Sequence, residues 1–239
     1  AMELYEDLLI NDPFEATVDD TQLFYSYQVA LALLIGSDLA PMRKGYYEIL
    51  DIGGNLIFKR GRWWILESDK HLAVKTLNRN MTFRKMKMSK MVSRLVQIYI
   101  DKVRGKMLSR ISSITIQESS ERTFAWRRIT NPLFFYITRK NLGVCYRNVS
   151  SGITAKLKSF SHPLIQKAAT FLGIRASFTV FINEKVRPDD PNSARTFGYL
   201  LNHSVATQER YYAFTETNLD QAFRDKTAKS WLKEMRKEK

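Results

Sequence analysis

The sequence predicts a mainly α-helical domain with a small antiparallel β-sheet, an α+β fold. Hydrophobic residues make up 44% of the 239 residues, which is enough for a substantial core. Apolar residues recur at helical spacing in several stretches, and the region 55–83 changes to short strand-like segments separated by turns. Together these two periodicities favour helices packed against a small sheet.

The first two predicted helices lie before the Gly53-Gly54 pair. Residues 19–35 form the first, because residues 19–21 are N-cap candidates and a long apolar run follows them up to Gly36. A shorter helix is predicted over residues 42–52, where the two consecutive glycines then interrupt the chain.

Three strand-like segments predict the antiparallel sheet. The Arg60-Gly61 and Ser68-Asp69 pairs separate them, and both pairs have the composition of turns. The segments are LIFKR (56–60), RWWILES (62–68) and a weaker one around RNMTF (79–83).

Residues 84–110 predict a long and strongly basic helix. It carries nine Lys and Arg residues against one acid, Asp101. Two interpretations remain open: a solvated basic face on a helix that packs against the core, or contact with nucleic acid. Its apolar residues at helical spacing are Met88, Met91, Val92, Leu95, Ile98 and Tyr99.

The C-terminal half is predicted to be helical after a Ser-rich and then basic loop over residues 112–128. The last helix, residues 218–239, is amphipathic, and its apolar stripe fits packing either on its own domain or on a neighbouring protomer. The other predicted helices cover residues 150–160, 164–174, 175–184 and 193–201.

The charge of the chain is strongly positive and unevenly distributed. The 38 Lys and Arg residues outnumber 24 Asp and Glu residues, which gives a formal charge of +14. Residues 1–42 contain eight acids and no Lys or Arg, so the remaining 197 residues hold all 38 bases against 16 acids. Such an excess favours a polyanionic partner.

The composition argues against several classes of protein. A single cysteine, Cys145, forms neither an internal disulfide nor a cysteine zinc site, and it fits a reducing compartment. His71, His162 and His203 lack metal-binding spacing, and the glycines form no common nucleotide-binding loop. The longest apolar run, residues 29–35, is too short to span a membrane.

Residues 198–214, GYLLNHSVATQERYYAF, are the most informative stretch. A helix-like segment ends near His203, and Tyr211 and Tyr212 follow within three helical turns. The stretch resembles the C-terminal signature of tyrosine recombinases and integrases. In that family a helix ending in Leu-Gly-His-Ser is followed by a Thr-rich turn and the nucleophilic tyrosine.

Three further segments resemble parts of the same family in the same order. LALLIGSDLAPMRKGYYEILDI resembles the segment with the first catalytic arginine, which would be Arg43. RWWILESDKHL resembles the hairpin that carries the catalytic lysine, here Lys70 or alternatively Lys75. FLGIRASFTVF resembles the start of the helix with the second arginine, Arg175.

The resemblance implies a phosphoryl-transfer site that needs neither metal nor cofactor. A tyrosine attacks a DNA phosphodiester and forms a 3′-phosphotyrosine, so the strand can be rejoined without ATP. The family spacing of nine residues after His203 selects Tyr212, whereas an alignment with one deletion selects Tyr211. The two arginines and His203 would stabilise the nonbridging oxygens, and Lys70 would protonate the departing 5′-oxygen.

Three positions depart from the family pattern. Leu172 stands where a histidine usually precedes the second arginine, and Asn202 replaces the glycine before the histidine. Tyr46 stands where an acidic residue is common, with Glu48 nearby. Three hypotheses therefore remain open: a site-specific recombinase or integrase, a type IB topoisomerase-like enzyme, and a degenerate relative that binds DNA without cutting it.

The resemblance also implies the domain organisation and the partners. Residues 1–217 would form the catalytic domain, without the family's N-terminal DNA-clamping domain, and residues 218–239 would form a separate C-terminal helix. Double-stranded DNA would be bound by a dimer or tetramer, with no membrane involved. We expect an origin in a mobile element or virus and an intracellular location, in the nucleus of a eukaryote or the cytoplasm of a prokaryotic host.

Overall fold

The computed structural model of the chain describes residues 2–17, 20–39, 41–42, 44–67, 84–111, 114–116, 129–137, 143–145, 152–159 and 170–181. The chain divides into two compact units, Ala1–Phe171 and Leu172–Lys239. The expected boundary between residues 217 and 218 lies outside the described residues. The predicted strand at 79–83 and the predicted helices at 193–201 and 218–239 also lie outside them.

Helices predominate in the described residues, and two small sheets accompany them. The predicted class, mainly α with a small antiparallel sheet, is confirmed. A π-helical segment, Tyr99–Arg104, joins α4 to α5 in one continuous helical run. The helices are α1 (Met2–Ile10), α2 (Thr21–Leu39), α3 (Lys44–Glu48), α4 (Lys90–Ile98), α5 (Gly105–Arg110), α6 (152–159) and α7 (Phe171–Phe181). The strands are β1 (Leu56–Lys59), β2 (Arg62–Leu66), β3 (Lys85–Lys87), β4 (Ile114–Ile116), β5 (Tyr136–Ile137) and β6 (Gly143–Cys145).

Strands β1, β2 and β3 form the antiparallel sheet in that order. The predicted Arg60-Gly61 turn joins β1 to β2, and its two residues have positive φ angles of 53° and 72°. A two-residue turn with two positive φ angles matches the right-handed twist of the paired strands. The predicted hairpin is therefore confirmed.

The two faces of this sheet differ in burial. Successive residues along a strand point to opposite faces, and residues that pair across strands share a face. The inner face, which includes three buried side chains, consists of Leu56, Phe58, Trp63, Ile65 and Met86. The outer face consists of Ile57, Lys59, Arg62, Trp64, Leu66, Lys85 and Lys87.

The prediction of a helix from Arg84 onward is wrong for its first residues. Residues Lys85–Lys87 form β3, and the helix begins only at Lys90. Ser89 caps it, because its Oγ accepts a hydrogen bond from the backbone N of Val92 at 3.2 Å. Pairing with β2 overrides the helical preference of a Lys- and Met-rich stretch, since strand formation depends on the neighbouring strand more than on local propensity.

Other boundaries also differ from those predicted. α2 extends past Gly36 to Leu39, and α3 covers only part of the predicted helix at 42–52. The segments 164–174 and 175–184, predicted as helical, share one continuous helix, because α7 runs from Phe171 to Phe181. The predicted helix at 150–160 is confirmed as α6.

A second sheet was not predicted. It has the order β4-β6-β5, and β4 lies within the loop expected at residues 112–128. β4 pairs with β6 in parallel, with Ile114 opposite Gly143, whereas β5 pairs with β6 in antiparallel fashion. A parallel pair needs a long connection between its strands, so no short turn marks it in the sequence.

Aromatic side chains fill the core around α1, α2 and the segment 129–137. No element was predicted for the residues that form α1, Met2–Ile10. Gln28 in α2 holds the backbone of Phe135, because its Nε2 donates to the carbonyl oxygen at 2.9 Å and its Oε1 accepts from the amide at 3.0 Å. The largest buried rings are Tyr5, Phe14, Phe24, Tyr27, Tyr47, Tyr99, Phe134 and Phe135.

Candidate functional site

One of the seven predicted site residues belongs to the described part of the chain. Arg175 lies in α7 and is only 2% exposed. A buried guanidinium is costly unless its charge is satisfied, so this position differs from an ordinary surface arginine. The other six lie outside the described residues: Arg43, Lys70, Lys75, His203, Tyr211 and Tyr212. The structure describes the residues on either side of Arg43. It also describes the residues before and after the segment 68–83, which contains Lys70 and Lys75 and is called the lysine segment below.

The residues that follow Arg43 are firmly packed. α3 buries Tyr46, Tyr47 and Glu48, which are 2%, 1% and 5% exposed. Tyr47 lies close to the C-terminal part of α2, where a Cβ atom added at Gly36 would stand only 2.8 Å from the tyrosine hydroxyl oxygen. Glycine at this position therefore allows α2 and α3 to approach closely.

A buried ion pair closes the base of the segment that contains Lys70 and Lys75. Glu67 follows β2 and Arg84 precedes β3, and the side chains of the two are 1% and 8% exposed. Glu67 Oε2 accepts hydrogen bonds from Arg84 Nε at 2.9 Å and from the Arg84 backbone N at 3.1 Å, and Glu67 Oε1 accepts a further one from Arg84 Nη2. This bidentate pair holds the two ends of the segment together.

The charge of Arg84 is stabilised by its neighbours. Burial acts to lower the pKa of Arg84, but the hydrogen bonds and the charge of Glu67 outweigh that effect and raise the pKa above its usual value. The guanidinium also lies 6.0 Å from the ring centroid of Tyr46. Tyr46 therefore connects α3 to the base of the lysine segment.

Sequence reasoning missed the pair between Glu67 and Arg84. The only sign of this pair in the sequence was an acidic residue after one strand and a basic residue before the next. Such residues are common at strand ends, and only the pairing of β2 with β3 shows that they meet.

The next residue of α3 contacts the beginning of α7. The rings of Tyr47 and Phe171 lie 4.8 Å apart between centroids, with an interplanar angle of 31°. Phe171 is the first residue of α7 and the last residue of the first unit. Two adjacent tyrosines of α3 therefore contact Arg84 and Phe171, residues of the same unit that lie far apart in the sequence.

The position of the missing acid is occupied by a residue with a structural role. Tyr46 stands three residues after Arg43, where the family pattern has an acid, and it is buried against Arg84. Glu48 is also buried, at 5% exposure. A carboxylate at position 46 would stand beside the guanidinium that already pairs with Glu67.

Most of the bases in the region 84–110 bind partners inside the domain. Lys102 and Lys106 contact the carboxylate of Asp12 at 3.3 and 3.2 Å. Burial acts to raise the pKa of Asp12, but the hydrogen bonds and charges of Lys106 and Lys102 outweigh it and lower the pKa below 3.8. Asp12 thereby ties the loop after α1 to the long helix.

Arg104 and Arg110 bind backbone and amide oxygens. Arg104 Nε donates to the carbonyl oxygen of Pro132 at 2.9 Å, and Arg104 Nη2 donates to Asn131 Oδ1 at 2.6 Å. Arg110 donates to the carbonyl oxygen of Thr17. With Arg84, which precedes β3, five of the nine bases have structural partners. For the four that lie in the helix, this supports the interpretation of a helix packed against the core. The other four are exposed: Lys85, Lys87, Lys90 and Arg94.

The described residues contain neither a metal-binding cluster nor a membrane-spanning helix. Within them, no three His, Cys, Asp or Glu side chains lie close enough together to hold a metal ion. None of the helices in the described stretches has the length and apolar character to cross a membrane.

Comparison with solved structures finds recombinases. The chain is 16% identical to XerA recombinase, with a TM-score of 0.47, and the match covers 88% of this chain and 64% of that one. It is 15% identical to XerH site-specific recombinase in a pre-cleavage complex with its difH substrate, with a TM-score of 0.44 and coverage of 93% and 51%. No protein-family model and no curated protein matches the chain. The chain thus spans 64% and 51% of the lengths of these two recombinases.

Proposed function

We propose that the chain contains the catalytic domain of a tyrosine recombinase, which cleaves and rejoins DNA strands through a covalent 3′-phosphotyrosine. The observation that carries the proposal is the packing of α3 directly after Arg43. Tyr46 contacts the base of the segment with Lys70 and Lys75, and Tyr47 contacts Phe171 at the start of the helix with Arg175. Both contacts lie within the first unit, and they bring residues distant in sequence to α3.

The proposed cleavage step is an in-line displacement at phosphorus. The hydroxyl oxygen of Tyr212 attacks the phosphorus atom and releases its proton to solvent, while the bond from phosphorus to the 5′-oxygen breaks and that oxygen takes up a proton. The product is a phosphodiester between the tyrosine and the 3′-end of the strand. Attack by a 5′-hydroxyl reverses the step and restores the DNA, so no external energy source is consumed. Tyr211 is the alternative nucleophile.

The cationic residues have separate roles in this step. Arg43 and Arg175 bind the nonbridging oxygens with two-pronged hydrogen bonds, and His203 adds a third donor, which stabilises the charge of the transition state. Lys70, or alternatively Lys75, protonates the departing 5′-oxygen. Because Arg175 is buried, its side chain has little freedom to lose on binding phosphate.

We propose double-stranded DNA as the substrate and a dimer or tetramer as the active form, inside the cell. The origin of the chain in a mobile element or virus stays a prediction. A nonspecific excess of positive charge supports the choice of DNA, since phosphate contacts supply most of the affinity of such proteins.

A nicked suicide duplex tests the proposal, because loss of the short fragment after cleavage traps the covalent adduct. A labelled pool of such duplexes with randomised sequence should give an adduct with the unchanged chain that survives denaturing electrophoresis. Tyr212→Phe should abolish it, and Tyr211→Phe serves as the matched control one residue away. Loss in Tyr211→Phe alone would assign the nucleophile to Tyr211.

Two results would contradict the proposal. One is an adduct that persists in both single variants and in the double variant. The other is binding of the duplex pool without any adduct, which would favour a relative that binds DNA without cutting it. Relaxation of supercoiled DNA by a monomer, without strand exchange, would instead favour the type IB topoisomerase-like reaction.

A further inference from the structure

We propose that the outer face of the sheet β1-β2-β3 binds the phosphate backbone of duplex DNA without reading base sequence. The proposal deepens the proposed function and rests on it for the choice of DNA as the polyanion. It concerns four cations that the family resemblance does not assign: Lys59, Arg62, Lys85 and Lys87.

The pairing of the strands brings these cations to one face. Lys59 lies opposite Arg62 across β1 and β2, and Lys87 lies opposite Trp64 across β2 and β3. Lys85 lies opposite Leu66 and so shares the face. The three lysines are exposed and Arg62 is half-buried.

This face carries no acid in the three strands. The nearest acid in sequence, Glu67, belongs to the opposite side by alternation and is buried with Arg84. Within the described stretches, no carboxylate pairs with any of the four cations. Their charges are thus available to a polyanion, unlike those of the five bases that bind partners inside the domain.

Trp64 lies in the central strand of the face and contacts both Lys59 and Lys87. Its Nε1 donates to the carbonyl oxygen of Lys59 at 3.2 Å, and the Nζ of Lys87 lies 5.5 Å from the centroid of its ring. The cation on the ring limits the freedom of Lys87 and lowers the entropy cost of binding a phosphate. Because Lys87 already lies over the ring, the face favours binding of phosphates over stacking of an unpaired base.

The spacing of the cations suits an extended anion. Residues on one face of a strand repeat about every 6.6 Å, and neighbouring strands lie about 4.8 Å apart, so Lys85 and Lys87 are about 7 Å apart along β3 and about 10 Å from β1. A duplex presents a continuous row of phosphates at comparable density. A single small anion would engage only part of this face.

The test compares two matched double variants of the full chain. Lys85→Gln with Lys87→Gln removes two charges from the face, and Lys156→Gln with Lys158→Gln removes two charges from α6 that are also two residues apart in the sequence. Binding of a short fluorescent duplex of arbitrary sequence is measured by anisotropy at several salt concentrations. The face variant should bind about tenfold more weakly and lose about 2 from the slope of log K against log salt, whereas the control should match the unchanged chain.

Tryptophan fluorescence supplies a second readout at the same face. Phosphate binding at Lys87 should change the emission of Trp64, and the DNA-induced change should be smaller in Trp64→Phe. Thermal melting of each variant shows that the altered side chains, which are surface groups, leave the fold intact.

Equal affinity and equal salt slope in the two double variants would overturn the inference. Loss of binding to phosphatidylserine vesicles with unchanged binding to DNA would overturn it as well, in favour of a membrane surface. Anisotropy reports binding without cleavage, and the suicide-duplex adduct is measured separately on the same preparations. An adduct that forms normally beside equal affinities would refute the DNA-binding face alone, whereas weakened binding without any adduct would refute the proposed cleavage reaction alone.

Discussion

At the scale of single residues, a conservative change at the buried Arg175 tests whether its guanidinium binds phosphate with two hydrogen bonds or only attracts it by charge. Lysine keeps the positive charge but lacks the planar fork that binds two oxygens at once. Arg175→Lys should therefore retain affinity for the duplex and slow formation of the covalent adduct by about 100-fold or more. Adduct formation measured in single turnover, beside anisotropy and thermal melting, checks this. A rate within a factor of about 3 of the unchanged chain would remove Arg175 from the site.

The pair between Glu67 and Arg84 gives a stability prediction at the same scale. Glu67→Gln leaves a buried guanidinium without its counter-charge and should lower the free energy of unfolding by about 3–5 kcal/mol. Glu67→Leu combined with Arg84→Met removes both charges and should cost clearly less than Glu67→Gln. Urea unfolding of Glu67→Gln, of Glu67→Leu and Arg84→Met alone, and of the double variant measures the differences. An additive loss in the double variant would show that the two side chains act independently.

The candidate site was only partly predictable from the sequence at this scale. Motif order singled out Arg175, because each motif is a local string of residues. The contacts of Tyr46 with Arg84 and of Tyr47 with Phe171 join positions far apart in sequence, and no periodicity records such contacts. Arg84 was counted among the basic residues of a helix, although its charge is buried and paired.

At the scale of elements, a strand could be predicted from the sequence where a short turn marks its pairing, and not where the pairing depends on distant residues. The Arg60-Gly61 hairpin was predictable because two consecutive residues define its turn. β3 was not, because the pairing with β2 decides its conformation, and neither was the parallel pair β4 and β6. Long-range pairing also explains why β4 lies in an expected loop.

The hairpin turn gives a prediction for the sheet. Gly61 has a φ angle of 72°, so Gly61→Ala should lower the free energy of unfolding by about 1–2 kcal/mol through backbone strain alone. No neighbouring atom would contact the added methyl group. Arg60→Gly, at a φ angle of 53°, should be tolerated and serves as the matched control in urea unfolding. Equal loss of stability in both variants would contradict backbone strain at Gly61 as the cause.

At the scale of the whole molecule, the charge of +14 divides into structural and available parts. Lys102 and Lys106 are structural because they neutralise Asp12. Replacing both with Gln should leave the DNA affinity within about twofold of the unchanged chain, while each lost pair costs at most about 1 kcal/mol of stability because the side chains are partly exposed. Anisotropy and urea unfolding measure the two effects.

The same double variant predicts a pH dependence with a definite sign. The folded pKa of Asp12 lies below its unfolded value of 3.8, so the pairs stabilise the fold above pH 3.8 and lose this effect as the pH falls through the folded pKa. The stability gap between the unchanged chain and the double variant should therefore close in strongly acidic solution. A gap that stays constant down to the lowest pH would contradict an ionic origin.

The π-helical segment Tyr99–Arg104 shifts the phase of the long helix. A π turn accommodates one more residue than an α turn, and each residue of a helix advances the rotation by about 100°. The side chains before and after the segment therefore follow two different helical wheels, and a single wheel drawn over residues 84–110 misassigns one half. The side chains of α4 and of α5 therefore belong to two differently oriented faces of one continuous helical run.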